Sequence, residues 1–378
     1  MNDPRIEKLA RVIVEYSVEV KKGDLVLLGG PPLAEPLIME LYRAVLRAGG
    51  HPWVRLIPSE CTEVMLTEGS DEQLAYCGPL DKATIQKADV LIKIWSEDNT
   101  KALSNSDPKR QAIAGKGRKP VMATMMKRSS LPASDPKFLR WTGTLFPTQA
   151  HAQDAHMSLR DYENFVYAGG KLDKRDPVAE WKKLGERQKH LADFLDKGKE
   201  MHITTPDGTD IKFGIKGRRW INCDGKNNFP DGEVFTGPIE DATEGVVQYR
   251  FPAVYGGREV NDIRLVFKAG KVVDCSASHN EDFLIQMLDQ DKGGRVLGEL
   301  ALGSNYGIKH HTRNILFDEK IGGTFHAALG AAYPESGGTN KSALHWDMIC
   351  DLRQGGLVPV DGKTVSKNGK FANAKWPR

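Results

Sequence analysis

Between Gly298 and Arg353 the sequence gathers Glu299, His326, Tyr333 and the pair His345-Trp346-Asp347 among glycines. Imidazole nitrogen and carboxylate oxygen together suit zinc, cobalt, manganese or ferrous iron. A donor set without cysteine points to an open catalytic site, not a closed structural one. His345 and Asp347 are separated by one residue, and alternate side chains of a strand leave the same face, so both can approach one ion. Glu299 lies between Val296-Leu297 and Leu300-Ala301-Leu302. A carboxylate buried there needs a cation or hydrogen-bond donors, either a metal or an arginine such as Arg295. Glu233 follows the turn Pro230-Asp231-Gly232 at a strand edge. It reads either as a ligand or as a solvated turn glutamate.

His326 sits in Gly322-Gly323-Thr324-Phe325-His326-Ala327-Ala328, where small neighbours permit close approach of backbone or ligand. Tyr333 comes seven residues later. On a helix that is two turns, roughly 10 Å along the axis. Either Gly330 interrupts the helix, or Tyr333 reaches a second ion or the reacting group, where a phenol can donate to developing charge. Asp318-Glu319-Lys320 follows the apolar run Ile315-Leu316-Phe317 and reads as a loop at a strand end, with Glu319 a candidate general base. The adjacent His310 and His311 diverge on a strand and read as surface.

These residues need a scaffold, and 378 residues are too many for one ordinary core. Asp3-Pro4 opens a helix carrying Ile6, Leu9, Ala10, Ile13 and Val14 at helical spacing. The buried strand Leu25-Val26-Leu27-Leu28 follows, then a helix from about Leu33 to Ala48, then the extended run Pro52 to Ile57. Val90-Leu91-Ile92-Lys93-Ile94 and Val121-Met122-Ala123-Thr124 are expected to continue a mostly parallel sheet. Gly29-Gly30-Pro31-Pro32 lacks a nucleotide-binding pattern and reads as a turn. A capped helix from Ser158 to Tyr167 closes this half, and Asp176-Pro177 opens a charged bridging helix to about Lys197.

Beyond it, Pro206-Asp207-Gly208 and Ala269-Gly270 each join two extended runs, the signature of hairpins. The expected architecture is therefore an α/β N-terminal domain over residues 1–197 and a mixed α+β, largely antiparallel C-terminal domain over 198–378 that binds the metal. The tail from Lys363 to Arg378 reads as polar surface.

Fifty-three basic and 50 acidic side chains nearly cancel, and neither sign forms a long block. That excludes the electrostatic footprint of a nucleic-acid or anionic-membrane binder and leaves small molecules or peptides as partners. The five widely spaced cysteines form no CxxC pair, which argues against a disulfide framework and for a reducing cytoplasm. Neither an apolar leader nor a run of eighteen apolar residues occurs. A soluble, cytoplasmic protein is expected.

Taken in order, Arg140-Trp141-Thr142-Gly143-Thr144-Leu145-Phe146-Pro147-Thr148, Ala152-Gln153-Asp154-Ala155, Pro230 to Thr236, Leu316 to Thr324, Tyr333-Pro334-Glu335-Ser336-Gly337-Gly338 and His345 to Ile349 resemble segments of the aminopeptidase T family of dinuclear metallopeptidases. The likeness covers essentially the whole chain. It implies two divalent ions per chain, zinc, cobalt or manganese, on Glu233, Glu299, His326, Tyr333, His345 and Asp347. It also implies an N-terminal α/β domain, a metal-bearing C-terminal domain, a homodimer enclosing its active sites, and peptide substrates with a free N-terminus. Glu299 would bridge the ions, Tyr333 would bind metal or stabilise the oxyanion, and Glu319 would move the proton. Cys223 to Asn228, His151 and His156 depart from the pattern and bear on substrate preference. The rival activity is a mononuclear iron oxygenase using His326, His345 and Asp347 alone. Against it stand the extra carboxylates Glu233 and Glu299. A metal-stabilised binding protein without turnover is the third reading.

Overall fold

A computed structural model describes residues 3–378, and the chain divides into two compact units. One comprises the residues up to Val178 with Lys226–Phe229; the other comprises Ala179–Gly225 and Pro230–Arg378. The long helix Pro177–Leu195 thus falls almost wholly in the second unit, where Leu191, Ala192 and Leu195 join the core.

In the first unit, Asp3 caps the helix Pro4–Val12, its carboxylate accepting from Arg5 N at 2.9 Å. Capping, together with proline at the first helical position, starts the helix where the sequence indicates. The sheet runs in the order His51–Leu56, Leu25–Gly30, Val90–Trp95, Arg140–Leu145, Asn228–Phe229, all parallel. Val26 and Leu28 in its interior are fully buried, as expected of a parallel strand covered on both faces.

One expected strand is corrected. Val121 to Thr124 lies inside the helix Pro108–Ser129, which Asp107 caps through Lys109 N at 2.8 Å. Four apolar residues are too few to reveal their period. The sheet position next to Val90–Trp95 belongs instead to Arg140–Leu145.

Among the described residues of the second unit, two antiparallel sheets face each other. The larger has the order Lys271–Ser276, Ile263–Lys268, Thr243–Tyr249, Asp210–Gly214, Glu200–Thr204, Leu357–Val360, Lys363–Lys367, Lys370–Phe371. Both expected hairpins are present in it. The smaller runs His345–Asp351, Thr324–Gly330, Leu297–Gly303, Glu233–Thr236, Ile221–Cys223. Leu300, Leu302, Phe325, Leu329, Trp346 and Met348 from the smaller sheet meet Ile203, Phe213, Val247 and Leu265 from the larger in one core. The tail is not simply surface: Val365 is fully buried and Trp376 packs against Phe194 at 5.0 Å. A lone tryptophan among polar residues gives no periodicity from which to read its burial.

Candidate metal centre

Strand alternation assembles the site. On the smaller sheet, Leu300, Leu302, Phe325, Trp346 and Met348 point into the core, so the residues between them leave the opposite face. Those are Glu299 on one strand, His326 on the next, and His345 and Asp347 on the third. Register aligns them: Glu299 pairs with Ala328, which pairs with Asp347 in one row, while His326 lies opposite Ala301 and Glu233 opposite Gly303. Ala301, Gly303 and Ala328 carry almost no side chain on this face. No bulky side chain from these three positions stands between the larger groups.

The spacing is that of ion ligands. One donor atom each from Glu233, Glu299 and His326 lie within 4.8 Å of one another, and so do those of Glu299, His345 and Asp347. Glu299 belongs to both triads. A further group joins Glu319 to His326 and Asp347. His326 Nε2 is 3.2 Å from Glu233 Oε2 and 3.3 Å from Glu299 Oε1, and His345 Nε2 is 3.5 Å from both Glu299 Oε2 and Asp347 Oδ2. His345 Nδ1 donates to Ala331 O at 2.9 Å, which turns Nε2 toward the carboxylates. Tyr333 packs its ring 5.4 Å from Phe235 and 5.2 Å from His345.

Whether a divalent ion fits can be tested on unsatisfied atoms. Glu233 Oε2, His326 Nδ1 and Asp347 Oδ1 are buried with no hydrogen-bond partner among the described residues. Buried orphans of this kind are rare and costly in a native fold. Two are carboxylate oxygens within the ligand triads, so the donor set fits a divalent cation.

Charge is concentrated here out of water. Burial raises the carboxyl of Glu233, but Lys320 and His326 more than offset it and bring it down to about 2. Burial pushes Glu319 up to about 7 against the pull of Lys320, with Glu233 and Asp347 adding to the rise. Although burial opposes their charging, His326 and His345 hold protons more tightly than ordinary histidines because carboxylates surround them. Burial and the same carboxylates raise the Tyr333 phenol far above its usual value.

Several sequence expectations change. Glu233 is no solvated turn residue: it is buried, with Gln188 Nε2 donating to its carbonyl at 2.6 Å. Arg295 pairs with Asp289, not with Glu299. His326 stands on a strand, and Gly330, at φ +102°, ends it before Tyr333, so the helical spacing argument does not apply. Ile315–Asp318 is a short helix, not a strand, and Lys320 and Asp318 are buried. The His311 side chain is mostly covered, 3.2 Å from Asp318 and stacked on Phe251, while His310 is exposed.

Three residues beside the site escaped the sequence reading: Asp231, Cys223 and Lys320. The available signal was weak: Asp318-Glu319-Lys320 is a short charged run between the apolar Ile315-Leu316-Phe317 and Ile321-Gly322-Gly323, and such runs are usually exposed.

The sequence profile of the thermophilic metalloprotease family (M29) matches residues 2–371. Aminopeptidase 2 of Geobacillus stearothermophilus is 26% identical, with 99% of this chain and 98% of that protein aligned. Among solved structures, AmpT of Thermus thermophilus superposes with a TM-score of 0.83 at 23% identity, covering 98% of this chain and 99% of that one. The fold is shared more distantly with 2,5-dihydroxypyridine dioxygenase of Pseudomonas putida KT2440, at a TM-score of 0.59 and 14% identity over 99% of each chain. With a family match over nearly its whole length and a carboxylate-histidine cluster on one sheet face, the chain belongs to the thermophilic metalloprotease family M29.

Proposed function

We propose that this protein is an aminopeptidase that hydrolyses the first peptide bond of peptides with a free N-terminus at a pair of divalent ions. Glu233, Glu299, His326, His345 and Asp347 would hold the ions, with Tyr333 beside them as a further ligand or as a donor. The observation that carries the reading is Glu299, whose two oxygens face separate ligand triads, as a carboxylate shared between two ions must. Aminopeptidase names among the relatives supply the substrate class.

Zinc, cobalt or manganese suits these nitrogen and oxygen donors. Such a pair, when bound, lowers the pKa of water and polarises the scissile carbonyl. The protein's own groups do the rest. Glu319, grouped with His326 and Asp347, accepts the water proton and returns it to the departing amine. Tyr333 keeps its O–H and donates to the oxygen on which charge develops. His345, fixed through Ala331 O, keeps Nε2 aimed at the ions.

A single iron on His326, His345 and Asp347 is not favoured. It would leave Glu233 and Glu299 buried beside it without need of their charge. The resemblance further carries a homodimer; five free cysteines support residence in a reducing cytoplasm. No helix among the described residues is long and apolar enough to cross a membrane.

The test is release of amino acid from unblocked dipeptides beside their N-acetylated counterparts. Release from the unblocked set alone, abolished in a folded Glu299→Ala variant, is the expected result. Undiminished turnover by that variant would remove the two-ion mechanism.

A further inference from the structure

Next to these groups lies a fourth, Cys223, Asp231 and Glu233, with donor atoms within the same 4.8 Å. Its spacing alone would take another ion. Lys320 already stands there: Nζ donates to Glu233 Oε1 at 2.6 Å and to Glu319 Oε1 at 2.5 Å, and lies 3.5 Å from Asp231 Oδ1. Its side chain is 1% exposed. Zinc-type ions sit about 2.0–2.3 Å from each donor. An ion bound to this triad would therefore collide with the ammonium in both space and charge.

Lys320 is the ammonium that meets Asp231, Glu233 and Glu319 together. The backbone around Lys320 is pinned to the same turn. Asn305 donates through N to Lys320 O at 3.0 Å and through Nδ2 to Asp231 O at 2.8 Å.

We propose that Lys320 is a positioning residue that fills the Cys223–Asp231–Glu233 cluster as a fixed cation, closes it to metal, and orients Glu233 and Glu319 toward the two-ion site. This rests on the two-ion reading above. By occupying Oε1 of Glu233, Lys320 leaves Oε2, which faces His326 Nε2 at 3.2 Å, as the oxygen for an ion. By holding one oxygen of Glu319, it stops that carboxylate from swinging away from its place near His326 and Asp347.

Cobalt(II) alone, titrated into the metal-free protein, reads this out, because thiolate ligation gives a near-ultraviolet charge-transfer absorption. Wild type is expected to take two ions with no thiolate band. K320A, which removes both the charge and the bulk, is expected to take a third ion and show the band, and K320A/C223S to lose it. K320R, which keeps both, is expected to take two ions without the band. On an unblocked dipeptide K320A is expected to lose about 10- to 100-fold in kcat, with KM little changed. A thiolate band in wild type would overturn the proposal, as would K320A with two ions, no band and undiminished kcat; either result leaves the two-ion site standing. Wild type that binds no ion would overturn both readings. Should K320A fail to fold, the wild-type spectrum and K320R decide the matter.

Discussion

His345 is committed before any ligand arrives. A carbonyl can only accept, so the 2.9 Å contact with Ala331 O fixes the proton on Nδ1 and turns Nε2 toward Glu299 and Asp347. Tyr333 is committed in the opposite sense, since burial and the surrounding carboxylates hold its phenol protonated. Tyr333→Phe should therefore lower kcat by about 10²-fold through loss of an oxyanion donor. Both ions should stay, because the other five donors remain; metal content measured beside turnover checks this, and full activity would dismiss the tyrosine. Residue type and spacing made His345, Asp347 and Glu299 legible in the sequence. Lys320 and Asp231 were not, because their roles depend on a turn at 230–232 meeting a loop at 319–322, a contact that no local pattern encodes.

At the scale of elements, period-two alternation divides the smaller sheet into a core face and a site face, and small residues keep the site face open. Ala328 lies in the row between Glu299 and Asp347. Ala328→Leu places a bulky chain between those carboxylates. It should cost about 1–3 kcal/mol by overpacking and leave a folded protein that binds no more than one ion. Denaturant unfolding beside metal analysis tests this, and two ions in the variant would refute the assigned row. The His-X-Asp pair announced a strand correctly. Around His326 the helical spacing to Tyr333 misled, because glycines and alanines suit either period and pairing with neighbouring strands decided. Val121 to Thr124 failed for a related reason: Asp107-Pro108 is the same opening signal as Asp3-Pro4, and it governs the whole helix through Ser129.

For the molecule as a whole, metal binding and folding are linked. The carboxylates around His326 and His345 raise their affinity for protons, and any proton held there must leave when ions bind. Ion affinity should thus fall as pH drops. The difference in Tm between loaded and chelated protein should shrink from pH 8 to pH 6. At a hundredfold excess over Kd one ion contributes about 2.7 kcal/mol of stability, enough to follow by calorimetry. A difference that grows on acidification would contradict the assignment of the histidines as ligands. Alternation of strand and helix before residue 178 and hairpin signals after residue 200 made both architectures readable. Which strands face each other across the second core was not, since those contacts join segments more than a hundred residues apart, Phe213 to Phe325 among them.

Two ions per chain acting in peptide hydrolysis can be checked in one measurement: the metal content of the purified protein by mass spectrometry, taken with release of amino acid from unblocked dipeptides before and after chelation. Close to two zinc, cobalt or manganese ions per chain and release that stops on chelation are predicted. One iron per chain with no release would contradict the account.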